Sequence, residues 1–435
     1  MPLYPSQQEI LDSTSGKKNV AFYVGCGGGK TWLGSTKAME IANPFTLVIC
    51  QKSQINDWVN HFKDNYPSIT VTDLTKLKKF TIADLTPGVL VINYDLLINR
   101  VELLKLRKFT LLLDESSMIQ HSNTKRTKFV LKLKPSNVIL LSGTPVSGAK
   151  IDKDEGLIFG KYENIISQVK LLGWNITPTS FWEKYVNWEM CHYGEIRKKE
   201  PVSYKNIKEL NAKLKELGCV FRRTEDIVEL PEFDDKYFYV PTIPECKKMI
   251  SDSVVYIGDE EIVADYPQTK YLRLRQLCAH YNKHKAGVLS DLLDSLENER
   301  VIIFYSFVPE LEVIKKVVGD RPMFQINGDV KDFDEEEFAR PENYNAVVAC
   351  QYQSGSRGHN MQAAKYIVYM SPTNSAEYFD QSRGRIRRDG QKADRVMYYH
   401  ILAKGSIEEK ILSNVSKGLD YTVDDYERDY GKDDN

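Results

Sequence analysis

The chain has 435 residues, long enough for two or three domains with full cores, and its 59 Lys+Arg against 60 Asp+Glu leave a formal net charge of −1. That balance excludes a global basic field, so a nucleic-acid partner has to be held by a local basic cleft. Seven scattered cysteines with no C-x-x-C suit free thiols in a reducing cytoplasm rather than a disulfide framework, and neither a signal peptide nor an apolar run of membrane-spanning length is expected.

The first informative stretch runs from Val20 to Thr31, Val-Ala-Phe-Tyr-Val-Gly-Cys-Gly-Gly-Gly-Lys-Thr. An apolar run ending at Val24 predicts a buried strand, followed by a glycine loop, a Lys-Thr pair and a helix. That layout is a phosphate cradle: glycines let backbone N–H groups turn inward, and the helix N-terminus adds partial positive charge. Val24 stands where the strict pattern has glycine, so a flexible loop that binds nothing is the bland alternative on this stretch alone. Strand-like runs then recur at Phe45–Cys50, Ile69–Leu74, Gly88–Tyr94, Phe109–Glu115 and Asn137–Gly143, with helical stretches between them. The alternation predicts an α/β unit with a parallel sheet covered on both faces, whose ligands bind at the carboxyl ends of the strands. Those ends carry Lys30, Lys52-Ser53, Tyr94, Asp114-Glu115 and Ser142-Gly143-Thr144-Pro145. An acidic pair closing an apolar strand is costly to bury unless it meets a cation, which gives Asp114 to Mg²⁺ and Glu115 to the attacking water. The alternative is a solvated strand end.

Residues 150–217 differ in character. Trp174, Phe181, Trp182, Tyr185, Trp188 and Tyr193 precede Arg197-Lys198-Lys199. Aromatics interleaved with cations can stack bases and neutralise phosphates, but the favoured reading is a small helical insertion with these aromatics as its own core. Residues 232–285 read as a bridge with amphipathic helical patches. Cys278, His280 and His284 crowd together there without a second cysteine pair, which argues against zinc. A second α/β alternation follows at Arg300–Phe307, Met323–Asn327, Asn345–Gln351, Tyr366–Ser371 and Val396–Leu402. It has no phosphate loop, but four arginines fall within residues 383–388. So many guanidiniums together are unfavourable unless anions meet them, either a nucleic acid or a nucleotide bound to the first unit. From Asp424 to Asn435 the chain is acidic and is expected to fray.

In order, these segments resemble the motifs of superfamily 2 helicases, and within them the Swi/Snf-type DNA translocases of the compact annealing-helicase and phage-type branch. Leu3–Gln7 is similar to the adenine-reading segment, Gly27–Thr31 to motif I, Leu47–Trp58 to motif Ia, and Val91–Leu97 to motif Ib. Asp114–Ser117 and Ser142–Pro145 resemble motifs II and III. Phe221–Thr224 and Leu272–Cys278 resemble family linker signatures, Ser354–Met361 and Gln381–Gln391 motifs V and VI, and Gly405–Leu412 a C-terminal signature. Motif II reads Asp-Glu-Ser-Ser where Asp-Glu-Ala-His is usual, and Arg387 stands where a histidine is usual in motif VI.

The resemblance implies two tandem RecA-like lobes: lobe 1 over 1–149 and 218–231, the insertion over 150–217, the bridge over 232–285, lobe 2 over 286–420, and an acidic tail over 421–435. It implies an ATP- and Mg²⁺-dependent motor, a cytoplasmic monomer acting on forked, branched or duplex DNA, with other replication or recombination proteins as further partners. Gln7 would read adenine, and Gly27, Gly28, Gly29 and Gly358 would line the nucleotide. Lys30 and Thr31 would hold phosphates, with Thr31 and Asp114 on Mg²⁺ and Glu115 activating water. Arg385 and Arg388 would act as arginine fingers with Gln381 near the γ-phosphate. Lys52, Ser53, Tyr94, Ser306, Arg357 and Asn360 would serve the DNA backbone or coupling between lobes. Strand separation, duplex translocation that displaces bound protein, service as the motor of a larger complex, an RNA-dependent ATPase and a non-catalytic ATP-holding scaffold remain alternatives.

Overall fold

The computed structural model describes residues 3–193, 196–355 and 359–431. The chain divides into two compact units, Met1–Glu229 and Leu230–Asn435. In the first unit six strands follow in order: β1 (Asn19–Val24), β2 (Phe45–Cys50), β3 (Val71–Asp73), β4 (Gly88–Asn93), β5 (Phe109–Leu113) and β6 (Asn137–Ser142). The hairpin strands β7 (Lys150–Asp152) and β8 (Gly156–Phe159) come next, then β9 (Val186–Tyr193), β10 (Ile196–Tyr204) and β11 (Cys219–Arg222). The main sheet has the order β11-β1-β6-β5-β2-β4-β3 and every pairing in it is parallel.

The near-continuous apolar strands follow from burial on both faces. Because side chains alternate along a strand, β1 sends Ala21 and Tyr23 into one core with Leu47, Ile49, Leu111 and Leu113. It sends Val20, Phe22 and Val24 into the other with Val48, Leu112, Ile139 and Leu141. Truncating any one of these leucines to alanine costs about 2–5 kcal/mol.

The insertion is not purely helical. Helices Ile166–Leu171, Pro178–Tyr185 and Ile207–Glu216 share it with two antiparallel hairpins, β7–β8 and β9–β10. The hairpin β9–β10 takes up a stretch that composition alone had assigned to helix. Phe181 and Tyr185 are buried, and Trp174 packs edge-on to both, so these rings form a core as expected. Trp182 and Trp188 pack on each other at the margin. The Tyr193 side chain and residues 194–195 lie outside what is described.

The second unit holds β12 (Glu232–Val240), the hairpin β13 (Val254–Ile257) and β14 (Glu260–Val263), then β15 (Val301–Tyr305), β16 (Met323–Ile326), β17 (Val347–Gln351), β18 (Tyr366–Tyr369) and β19 (Arg395–Ala403). Its main sheet runs β12-β19-β18-β15-β17-β16, again parallel throughout. The stretch expected as a bridge therefore begins as a strand of this sheet: β12 pairs with β19 from Glu232↔Arg395 to Val240↔Ala403. Its charged residues hid it. Glu232 and Asp234 pair with Arg395, and Asp235 takes two hydrogen bonds from Arg383, so carboxylates sit comfortably on this edge strand. Within the described residues, the acidic end is helical over Val423–Tyr430, where fraying was expected. Thr422 caps the helix Val423–Tyr430 through the Asp425 N–H, and Tyr426 is buried against Tyr271. Cys278 is buried with its sulfur 3.7 Å from that of Cys246. Among the described residues no helix is long and apolar enough to cross a membrane.

Candidate nucleotide site and its companion motifs

The glycine loop leaves the carboxyl end of β1 and is braced by the end of β11. The Gly25 N–H donates to the Arg222 carbonyl at 3.0 Å, and the Thr224 hydroxyl donates to the Cys26 carbonyl at 2.8 Å. A side chain at Gly25 would meet that hydroxyl at 2.4 Å. Val24, the departure from the strict motif, is fully buried, and one of its methyl groups lies 2.5 Å from where a Cβ at Gly28 would stand. The bulk at Val24 and the missing Cβ at Gly28 thus fit together. Gly29 has φ +78° and opens the helix Lys30–Ile41. Any side chain there would strike the Gln7 amide at 2.1 Å.

Gln7 is buried against the loop. Its Nε2 donates to the Gly28 carbonyl at 3.2 Å, and its Oε1 accepts from the Tyr4 N–H at 3.0 Å. Lys30 folds back on its own loop, with Nζ donating to the Val24 carbonyl at 3.2 Å. The Thr31 side chain makes no hydrogen bond to a described residue.

The acidic pair sits at the end of β5. The Asp114 carboxylate is buried and accepts from the Trp58 indole N–H at 2.8 Å. Burial, and then the neighbouring Glu115 charge, push its pKa up to about 6, against the pull of the Trp58 hydrogen bond and the Lys30 ammonium. Glu115 adopts φ +52°, a left-handed conformation that a non-glycine residue takes only when its surroundings impose it. The Ser142 hydroxyl at the end of β6 donates to Glu115 Oε2 at 3.3 Å, and the Thr144 N–H donates to that Ser142 oxygen at 3.1 Å. The third and second motifs of this lobe thus touch through a serine.

Lys30, Thr31, Gln7, the three glycines, Asp114 and Glu115 therefore gather in the first unit. Tyr94, expected to serve the DNA backbone or coupling between lobes, lies beside them. It is buried, and its hydroxyl donates to the Asp114 carbonyl at 2.9 Å. Lys52 and Ser53 are exposed in the turn after β2.

In the second unit the four clustered arginines divide. Arg383 is held by both oxygens of Asp235 and lies 3.8 Å over the Tyr398 ring; Asp235 also meets His400 Nε2 at 2.9 Å. Burial raises the Asp235 pKa, but the hydrogen bonds from His400 and Arg383 outweigh it and leave the carboxyl at about 2. Arg387 donates to the Pro231 carbonyl at 3.0 Å and lies over Phe233. Arg385 is buried and donates to the carbonyls of Gln381 and His359, at 3.2 and 2.6 Å. Arg388 is half-buried and makes no side-chain hydrogen bond or ion pair to a described residue. Gln381 donates to Glu377 at 3.0 Å, and the Ser306 hydroxyl to the Pro372 carbonyl at 3.3 Å. The Asn360 side-chain oxygen is buried with no hydrogen-bond partner among the described residues. Arg357 and Gly358 lie outside the described residues.

Sequence reasoning gave no role to Trp58, Ser142 or Thr224, although each fell inside a segment it quoted. It missed Gln168, a fully buried glutamine in the insertion, and Glu310, whose carboxylate accepts from the N–H groups of Ser306 and Phe307 at 3.0 and 2.8 Å. The one signal for Gln168 was a lone amide in the largely aliphatic stretch Ile165–Leu172, Ile-Ile-Ser-Gln-Val-Lys-Leu-Leu.

A phosphate-type glycine loop and an acidic pair at the carboxyl end of a parallel sheet define a P-loop nucleotide-binding lobe, followed here by a second parallel α/β unit. The SNF2-related domain model matches residues 15–252, and the helicase conserved C-terminal domain model matches residues 284–390. The chain belongs to the SNF2-related family.

The human DNA repair and recombination protein RAD54B is 22% identical over 444 residues, covering 84% of this chain and 46% of that protein. Putative helicase 172L of Invertebrate iridescent virus 6 is 29% identical over 127 residues, 28% of this chain and 20% of that one. The Sulfolobus solfataricus SWI2/SNF2 ATPase core in complex with dsDNA aligns at 18% identity and TM-score 0.44, covering 96% of this chain and 91% of that one. The chain spans about half the length of the RAD54B proteins it matches.

Proposed function

We propose that this chain is a DNA-dependent ATPase that converts ATP hydrolysis into movement on DNA. The observation that carries the reading is the convergence of Lys30, Asp114 and Glu115 at the strand ends, in a chain that carries both the SNF2-related and the helicase C-terminal domains. The residues fit a magnesium nucleotide. Asp114 is a buried carboxylate near Lys30, Thr31 offers a hydroxyl with no hydrogen bond to a described residue, and the helix Lys30–Ile41 begins directly after the glycine loop. Thr31 and Asp114 would hold Mg²⁺, which when bound would neutralise phosphate charge. Lys30 moves from its own loop carbonyls to the phosphates. Glu115, held by Ser142, takes the proton of the attacking water. Gln7 reads the base from behind the loop.

Of the four clustered arginines, Arg388 is the one whose side chain makes no hydrogen bond or ion pair to a described residue, and we assign it as the finger that stabilises transition-state charge. Arg385 shapes the loop that presents it. Lys52, Ser53, Ser306, Arg357 and Asn360 hold the DNA backbone or couple the two lobes, and contacts of that kind make binding salt-sensitive and weakly sequence-selective. DNA is favoured over RNA because the similar curated proteins include the DNA repair and recombination protein RAD54B. The finer activity we propose is remodelling of forked and branched DNA, with duplex tracking that displaces bound protein as the second reading. Strand displacement on labelled forks and four-way junctions separates the two: ATP-dependent displacement supports remodelling, and DNA-stimulated hydrolysis without displacement supports tracking.

A further inference from the structure

Gln168 lies on the helix Ile166–Leu171 of the insertion, yet its side chain is fully buried among the catalytic loops. Its Oε1 accepts from the Ser116 hydroxyl at 2.7 Å and from the Tyr23 hydroxyl at 3.1 Å, and its Nε2 donates to the Pro145 carbonyl. The orientation is fixed by chemistry. A carbonyl can only accept, so the amino group must face Pro145, and the amide oxygen must face the two hydroxyls. One side chain thus joins three points: the residue after Glu115, the end of β1 just before the glycine loop, and the Thr144-Pro145 turn. Ser116 is itself buried, and Tyr23 is fully buried.

Two features give this contact consequence. Glu115 sits at φ +52°, a backbone state that needs outside support, and Ser116 is the next residue. The usual motif II histidine is absent, since Ser116-Ser117 follow the acidic pair here. Ser142 reaches Glu115 from one side, and Gln168 ties Ser116 to Pro145 from the other. We propose that Gln168 is a positioning residue for Glu115, through which the 150–217 insertion sets the rate of ATP hydrolysis. The inference rests on the ATPase reading above. It adds a residue from outside the motifs and gives the insertion a role in the chemical step.

The test is Gln168→Met, which keeps the volume and removes all three hydrogen bonds, alongside Ser116→Ala, which removes one donor and leaves Gln168 in place. In the DNA-stimulated full chain, each variant should lower kcat by about 10–100-fold, the range typical when an outer hydrogen-bond partner of an active-site group is lost. KM for ATP should stay within about twofold, because the phosphate loop is untouched. The double variant should be no worse than the more impaired single one, since both remove the same link. A merely structural role would instead lower Tm without splitting kcat from KM. Amide hydrogen exchange across residues 114–119 and 143–147 reads the same link without turnover: faster exchange in Gln168→Met confined to these two loops supports the inference. If wild type hydrolyses ATP and both variants keep kcat within about twofold, or if exchange in the loops is unchanged, the inference is overturned. Loss of activity in wild type with the exchange response intact would instead strike only the ATPase reading.

Discussion

The indole N–H of Trp58 donates to Oδ2 of Asp114 at 2.8 Å, and both side chains are buried. The tryptophan stands on the helix Ile55–Asn65, stacked on Phe62, and it is the side-chain donor that pulls the Asp114 pKa down. Trp58→Phe keeps most of the ring and removes the donor. The Mg²⁺ concentration for half-maximal ATP turnover at pH 7 should rise several-fold. Stability should fall by about 1–3 kcal/mol, as expected when a buried polar group loses its partner. A magnesium titration and a denaturant melt read the two effects separately.

Acid should weaken magnesium-nucleotide binding earlier than an ordinary aspartate would allow. The Asp114 pKa in the folded chain is raised to about 6, above its value in an unfolded chain. Metal binding needs the carboxylate, so affinity holds above pH 6 and falls as pH drops through it, by up to about tenfold per unit. The sign for folding is opposite: the nucleotide-free chain gains stability as pH falls through 6, because protonation relieves the buried charge. Calorimetric titration of a magnesium complex of a non-hydrolysable ATP analogue from pH 5 to 8 checks this. Affinity flat down to pH 5 would contradict it.

Arg388 and Arg385 should separate in mutants. Arg388→Ala removes a guanidinium with no partner among the described residues, so Tm and nucleotide affinity should hold while kcat falls by about 10³-fold or more. Arg385→Ala takes a buried guanidinium away from the part-buried carbonyls of Gln381 and His359, so its first effect should be a lower Tm, by several degrees. Thermal melts and single-turnover kinetics on both variants decide it.

A buried ion pair holds the second unit. Lys285 Nζ lies 2.7 Å from Glu408 Oε1 and also donates to the carbonyls of Met370 and Ile401. Both side chains are almost wholly buried, and Glu408 accepts in turn from the Ala403 N–H at 2.9 Å. Lys285→Ala leaves that carboxylate unpaired and should cost about 3–5 kcal/mol. Replacing both residues with apolar ones of similar volume should recover most of the loss, which denaturant melts of the single and double variants will show.

Much of this was legible because parallel strands buried on both faces write themselves as apolar runs. All five strands expected after β1 in the first unit begin within two residues of the expected positions, and Asp114, Glu115 and Ser142 lie at their carboxyl ends. β12 was not legible: its carboxylates read as surface, and their partners Arg383 and Arg395 lie about 150 residues away along the chain. The hairpin β9–β10 hid in a cationic stretch for the same reason, and Tyr94 looked available because a strand-end tyrosine shows nothing of the carbonyl it meets. Gln168 was beyond a linear reading altogether. Its three partners come from β1, the turn after β5 and the turn after β6, and only the fold brings them to one amide.

Phosphate release from ATP, with and without duplex DNA, in wild type beside Lys30→Ala tests the central claim most directly. The account predicts hydrolysis that DNA stimulates in wild type and that Lys30→Ala abolishes. Equal phosphate release by the two proteins, or none from wild type at any DNA concentration, would contradict it.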